Sequence, residues 1–229
     1  MSGILRILAA GFALVLAGTV FADGPGTQPS DDPAAPTTRA SMEVITHLQK
    51  QLHGITSVES DFVEEKNLAM LNHTLTIRGH IGLEKPDRLI WIVQQPVRYA
   101  VRIEGDEVRQ WDEDTNHVDV LHLGGDPTFK AVSEQIQAWF LGNYKVLGDS
   151  YDVYLTQPQP VSLAFIPSGQ SMVSKLVKRI DLTFNPQETY IDTMVIRETG
   201  GDVTTIHFIN TRVNQPIAEG TWEMPPNER

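Results

Sequence analysis

The sequence predicts an α+β chain that is mostly β. About eleven strands form one strongly curved antiparallel sheet, an incomplete barrel, with two or more helices covering its concave face. Three observations carry this. Short segments of alternating or continuous apolar character recur along most of the chain, as half-buried and fully buried strands require. The turns between them are too short for parallel crossovers, which need a dozen or more residues, so neighbours pair antiparallel. Only two stretches have helical spacing, too few to cover both faces of an open sheet of this size, which must therefore curl.

In chain order, residues 1–22 read as a secretory signal peptide. Arg6 supplies a positive start, Ile7 to Phe21 an apolar run, and Val20-Phe21-Ala22 a cleavage site of the small-x-small type. The apolar run is shorter than the ~20 residues a membrane-spanning helix needs. Removing it takes away only Arg6, so the formal charge moves from −11 to −12. Residues 23–40 hold four prolines and no apolar side chain larger than alanine, a composition that cannot offset its ordering entropy. They read as a disordered lead-in to a single domain over residues 41–229. Ser41 is placed to cap a helix from Met42 to His53, closed by Gly54. Val44, Ile45, Leu48 and Leu52 form its apolar stripe.

After a strand over Val58–Lys66 comes the stretch LTIRGHIGLEKPDRLIWIVQQP, residues 75–96. Odd positions Leu75, Ile77, Ile81 and Leu83 are apolar and even positions Thr76, Arg78 and His80 polar, the pattern of a strand with one dry face. Lys85-Pro86-Asp87 breaks the run, and Arg88 to Val93 follows, apolar on both faces. Leu89, Trp91 and Val93 share one side, Ile90 and Ile92 the other. Tyr99–Ile103 and Val108–Trp111 flank a Gly105-Asp106 turn, and Asn116–Leu123 is a further strand. Asp126-Pro127-Thr128 opens a second helix with Val132, Ile136, Trp139 and Phe140 on one face, ended by Gly142. Strands follow near 151–156, 161–166, 177–184, 189–198 and 203–213, and Thr221–Met224 reads as a short last strand.

A glycine-containing strand, Lys85-Pro86, Trp91 a few residues on and Pro96 soon after resemble the periplasmic outer-membrane lipoprotein carrier family (LolA-like). The resemblance extends as a pattern of elements over about residues 42–226. It implies a periplasmic, monomeric carrier that holds acyl chains of lipoproteins or lipids between sheet and helices. Such a carrier receives its cargo from an inner-membrane exporter and passes it to an outer-membrane acceptor. The implied cavity is lined by Leu48, Leu52, Leu75, Ile77, Ile81, Leu83, Leu89, Trp91 and Val93. Lys85 stands where the family has an arginine that latches the helical lid. A lipid- or lipoprotein-sensing regulatory module on the same fold is the alternative.

The chemistry of the sequence agrees with a binding protein that is not an enzyme. It contains no GxSxG elbow, phosphate loop or HExxH helix, and the reading calls for no cofactor and no catalytic residue. The seven histidines lack ligand spacing, and with no cysteine there is neither a disulfide nor a thiolate metal site. Asp112, Asp114 and Asn116 begin like a calcium loop, but His117 stands where that loop needs glycine. A strongly acidic balance argues against nucleic acid and against adhesion to anionic headgroups.

Overall fold

The computed structural model describes residues 38–70, 73–122, 138–147, 150–169 and 173–224. The expected signal peptide, most of the lead-in and the opening of the second helix, including Val132 and Ile136, lie outside the described residues.

Eleven strands form one sheet: β1 Ser57–Leu68, β2 His73–Glu84, β3 Arg88–Gln95, β4 Tyr99–Glu104, β5 Glu107–Asp112, β6 His117–His122, β7 Tyr151–Pro158, β8 Val161–Pro167, β9 Val177–Phe184, β10 Ile191–Glu198 and β11 Val203–Val213. Their order is β6-β5-β4-β3-β2-β1-β11-β10-β9-β8-β7. Each half is a meander of neighbouring strands, and the halves join where β1 runs antiparallel to β11, with Phe62 opposite Phe208 and Asn67 opposite Val203. The edge strands β6 and β7 do not pair, so the barrel stays open.

Curvature follows from what the apolar faces touch. Strands lie ~4.8 Å apart, so eleven of them laid flat would span on the order of 50 Å. Helix α1, Met42–His53, has 12 residues and is only ~18 Å long. Yet one apolar cluster runs from Leu121 on β6 through Leu48 and Leu52 of α1 to Val153 and Leu155 on β7. A sheet curled around its dry face brings all of these together; a flat one does not. Residues 138–141 are helical and α2 spans Tyr144–Leu147, both on the same side of the sheet as α1. Residues 38–40, the last of the expected lead-in, run beside β7, where Ala40 N–H donates to Val153 O at 2.9 Å.

The outer face of β3 holds a second, smaller cluster, Ile90 with Ile217 and Trp222, flanked by Ile92 and Met224. This is where the expected last strand is corrected. Glu219–Trp222 is a 3₁₀ turn, because the doubly apolar β3 needs a cover and a turn lets Trp222 lie flat on it. Gly82 leaves the space: a Cβ there would stand 3.1 Å from Ile90 Cγ2 and 3.7 Å from the Trp222 ring. Arg102 Nη1 donates to Trp222 O at 3.0 Å, and the Arg88 guanidinium lies 4.2 Å from the Trp222 ring centre.

Candidate functional site

The concave face is assembled from α1 above and strands β2 and β3 of the first meander below. Ser41 caps α1, its hydroxyl accepting from Val44 N–H at 3.3 Å, and Gly54 closes it. The intervening turns put Ile45, Leu48 and Leu52 on the underside, where Leu48 and Leu52 are 0% exposed. Beneath them the odd positions of β2 and β3 supply Ile81, Leu83, Leu89, Trp91 and Val93, all buried in the same cluster. Ile77 is half-buried against it, whereas Leu75, near the His73 end of β2, is half-buried and outside it. Eight of the nine residues inferred for the cavity thus meet at one face, and Leu75 stands apart.

Phe62 of β1 and Trp91 of β3 reach toward each other over the strand between them, stacked at 4.2 Å. Gly79 of β2 makes this possible. It lies opposite Phe62 in the ladder, and a Cβ there would sit 2.3 Å from Phe62 Cζ and 2.1 Å from Ile92 O. The close carbonyl follows from a bulge in the β2–β3 ladder between Arg78 and Gly79.

Lys85 occupies the turn between β2 and β3, directly below the end of α1. Its Nζ donates to His53 O, the carbonyl of the last helical residue, at 3.3 Å, and its N–H donates to Thr56 O at 2.8 Å. A cation at a helix C-terminus complements both the orphan carbonyls and the helix dipole. Asn214, the residue after β11, ties the same end, donating to Gly54 O at 3.0 Å and accepting from Thr56 N–H at 2.7 Å. Arg88 cannot replace Lys85. It points to the outer face, among Glu84, Glu104 and Glu219.

A family profile described as "Outer membrane lipoprotein carrier protein LolA" matches residues 53–224. The chain belongs to the LolA family. It is 21% identical over 185 residues to an outer-membrane lipoprotein carrier protein of Pseudoalteromonas translucida, covering 79% of this chain and 82% of that protein. A carrier protein of the same description from Chromohalobacter salexigens is 24% identical over 192 residues, covering 82% and 87%. The crystal structure of an uncharacterized conserved protein from Thermus thermophilus shares the fold, with a TM-score of 0.50 at 11% identity over 81% of this chain and 94% of that one.

In this LolA-family chain, two parts of the concave side were not among the residues inferred for the cavity. One is an aromatic group under the second helical region: Trp139 lies 4.6 Å from Phe165 and 5.5 Å from Tyr151, and Phe140 lies 5.4 Å from Phe208. Tyr144 donates its hydroxyl to Trp139 O at 3.1 Å, and burial pushes its pKa far above the ordinary tyrosine value. The clue was the alternation of Val161, Leu163 and Phe165 along β8, whose Phe165 meets Trp139. The other is Glu64 with Lys66, which alternation along β1 places on the same side as Phe62. Outside, Glu59, Asp61 and His80 form a separate polar network: the His80 ring reaches Asp61 at 2.9 Å and Glu59 at 3.2 Å. The Asn210 amide, then His80, hold the Asp61 carboxyl below its usual range by hydrogen bonding to the charged form.

Replacing Ile81, 0% exposed between Leu83 and Gly79 on β2, by alanine should cost ~2–4 kcal/mol in urea unfolding of the lipid-free protein and also lower acyl-probe uptake. A core-sized loss with unchanged uptake would show that this face only fills the fold.

Proposed function

We propose that the protein is a periplasmic carrier. It takes up the acyl chains of lipoproteins or lipids on the concave face and ferries them from an inner-membrane exporter toward an outer-membrane acceptor. The supporting observation is the placement of α1: an amphipathic helix laid across a curled apolar sheet, with its C-terminal end held to the β2–β3 turn by Lys85. Family membership and the descriptions of both carrier relatives point the same way.

The energetics favour such a cargo. Transfer of apolar surface from water is worth ~0.8 kcal/mol per CH₂, so a chain of about sixteen carbons gains on the order of 10 kcal/mol before ordering costs. In the lipid-free protein the concave side chains cover each other, so loading requires α1 to lift. The Lys85–His53 contact favours the closed, empty form and thereby release.

Purified protein loaded with a fluorescent acyl probe and mixed with acceptor vesicles tests this. Loss of one partly exposed, charge-assisted hydrogen bond is worth about 1 kcal/mol, so Lys85→Leu should slow transfer about fivefold. Lys85→Arg, which keeps donors at the helix end, should release at least as fast as wild type. Equal rates for wild type and Lys85→Leu would remove the latch, and failure to take up any acyl probe would remove the carrier role.

A further inference from the structure

The dry face of the sheet carries one carboxyl that nothing in the carrier reading uses. Glu64 is 5% exposed and lies in a cross-strand row of apolar side chains: Ile77 on β2, Ile206 on β11, Met194 on β10 and Leu182 on β9. No hydrogen bond among the described residues reaches its carboxyl; burial and the charge of Lys66 are what act on it. Lys66, the next residue on that face, is itself buried, and its Nζ is engaged by Glu198 Oε1 at 2.9 Å. Thus the end of this face away from the β2–β3 turn holds two carboxyls and one ammonium, and the ammonium is already paired.

A buried carboxyl without a partner is costly unless something satisfies it. Water-exposed carboxylates of this protein show the ordinary solution, since Asp61 on the outer face is met by Asn210 and His80. Glu64 lacks any such group among the described residues. An acyl ligand entering along the row from Leu182 to Ile77 would bring its polar end within the sheet's span, and that end meets a surplus of acceptors. An anionic end, a carboxylate or phosphate, would add a third negative charge to the cluster; an amide N–H or hydroxyl would supply the missing donor.

We infer that Glu64 is a ligand-recognition residue of the concave face, accepting a hydrogen bond from an amide or hydroxyl group at the polar end of an acylated ligand and discriminating against anionic ends. This rests on the carrier reading, since it concerns the same face. Burial pushes Glu64 up to about 7, as a carboxyl in an apolar row with no donor requires.

The test is displacement of a bound fluorescent acyl probe at pH 8 by hexadecanamide or by hexadecanoate, two ligands that share a chain and differ at its end. Wild type should favour the amide over the carboxylate about tenfold, the scale of one charge-assisted hydrogen bond. In Glu64→Leu the ratio of the two affinities should fall to about one, and in the isosteric Glu64→Gln the discrimination against the carboxylate should likewise disappear. Equal displacement by both ligands in wild type overturns the inference while leaving the carrier reading standing. So does a preference that survives in both variants. A wild-type protein that binds no acyl probe overturns the carrier reading and this one with it.

Discussion

Gly79→Ala should destabilise the fold by at least about 3 kcal/mol, seen as a lowered urea midpoint with an unchanged slope. The new methyl would be placed 2.1 Å from Ile92 O and 2.3 Å from Phe62 Cζ. Removing the second obstacle does not remove the first, because Ile92 O is main chain fixed by the β2–β3 ladder. Phe62→Leu introduced with Gly79→Ala should therefore rescue little. The displaced Phe62 ring should also lose its stacking on Trp91, altering the near-UV circular dichroism of the folded fraction. Gly200→Ala is the control: nothing lies within 4 Å of a Cβ there, and the change should stay within roughly ±0.5 kcal/mol. If both substitutions behave alike, the close approach at Gly79 is not a constraint.

The second large effect is a pH dependence centred on Glu64. Its carboxyl is raised from 4.5 to about 7, mainly by burial, with Lys66 opposing. The folded protein therefore holds this proton more tightly than the unfolded chain does. Stability contributed by the protonated form is complete below about 4.5, falls as pH rises through the interval to about 7, and is flat above it. A rise of that size corresponds to about 3 kcal/mol. Glu64→Gln cannot ionise and should escape the loss. The difference in unfolding free energy between wild type and Glu64→Gln should thus shift by about 3 kcal/mol in favour of the variant between about pH 4.5 and pH 8. Parallel pH profiles would show that Glu64 ionises freely in the folded protein.

Much of this architecture was legible because strands announce themselves by period two. The bounds of β2 and β3 match the alternation from Leu75 to Leu83 and the apolar run from Arg88 to Val93 within a few residues. The glycine turn at Gly105, with φ +59, closes the β4–β5 hairpin as its sequence requires. Antiparallel order followed from turn length alone. Two things were not legible. Thr221–Met224 has strand-like composition, but its conformation is decided by a surface far away in sequence, the outer face of Ile90 and Ile92. Leu75 continues the alternation perfectly, yet alternation fixes only the side of the sheet, and whether a position on that side is covered depends on where α1 ends. Glu64 sits between these cases. Its face was readable from Val58, Phe62 and Lys66, while its lack of any partner required the neighbours on β2 and β11.

The joint between the two meanders sets a schedule for folding. Within β1 to β6, and within β7 to β11, every pairing joins sequence neighbours and can close as soon as the strands are made. The β1–β11 ladder instead links Val58 to Val213 and Asn67 to Val203, the most widely separated pairing in the sheet. Until β11 has been synthesised, β1 presents one long bare edge of main-chain donors and acceptors, open to any extended segment nearby. Glu59, Asp61 and Glu65 stand along that edge on the outward side, where repulsion between like charges opposes edge-to-edge association of two unfinished chains. Glu59 and Asp61 also hold the outer polar network, so the separable case is the exposed Glu65: Glu65→Gln would leave the finished fold nearly untouched and show its cost as aggregation during refolding at high protein concentration.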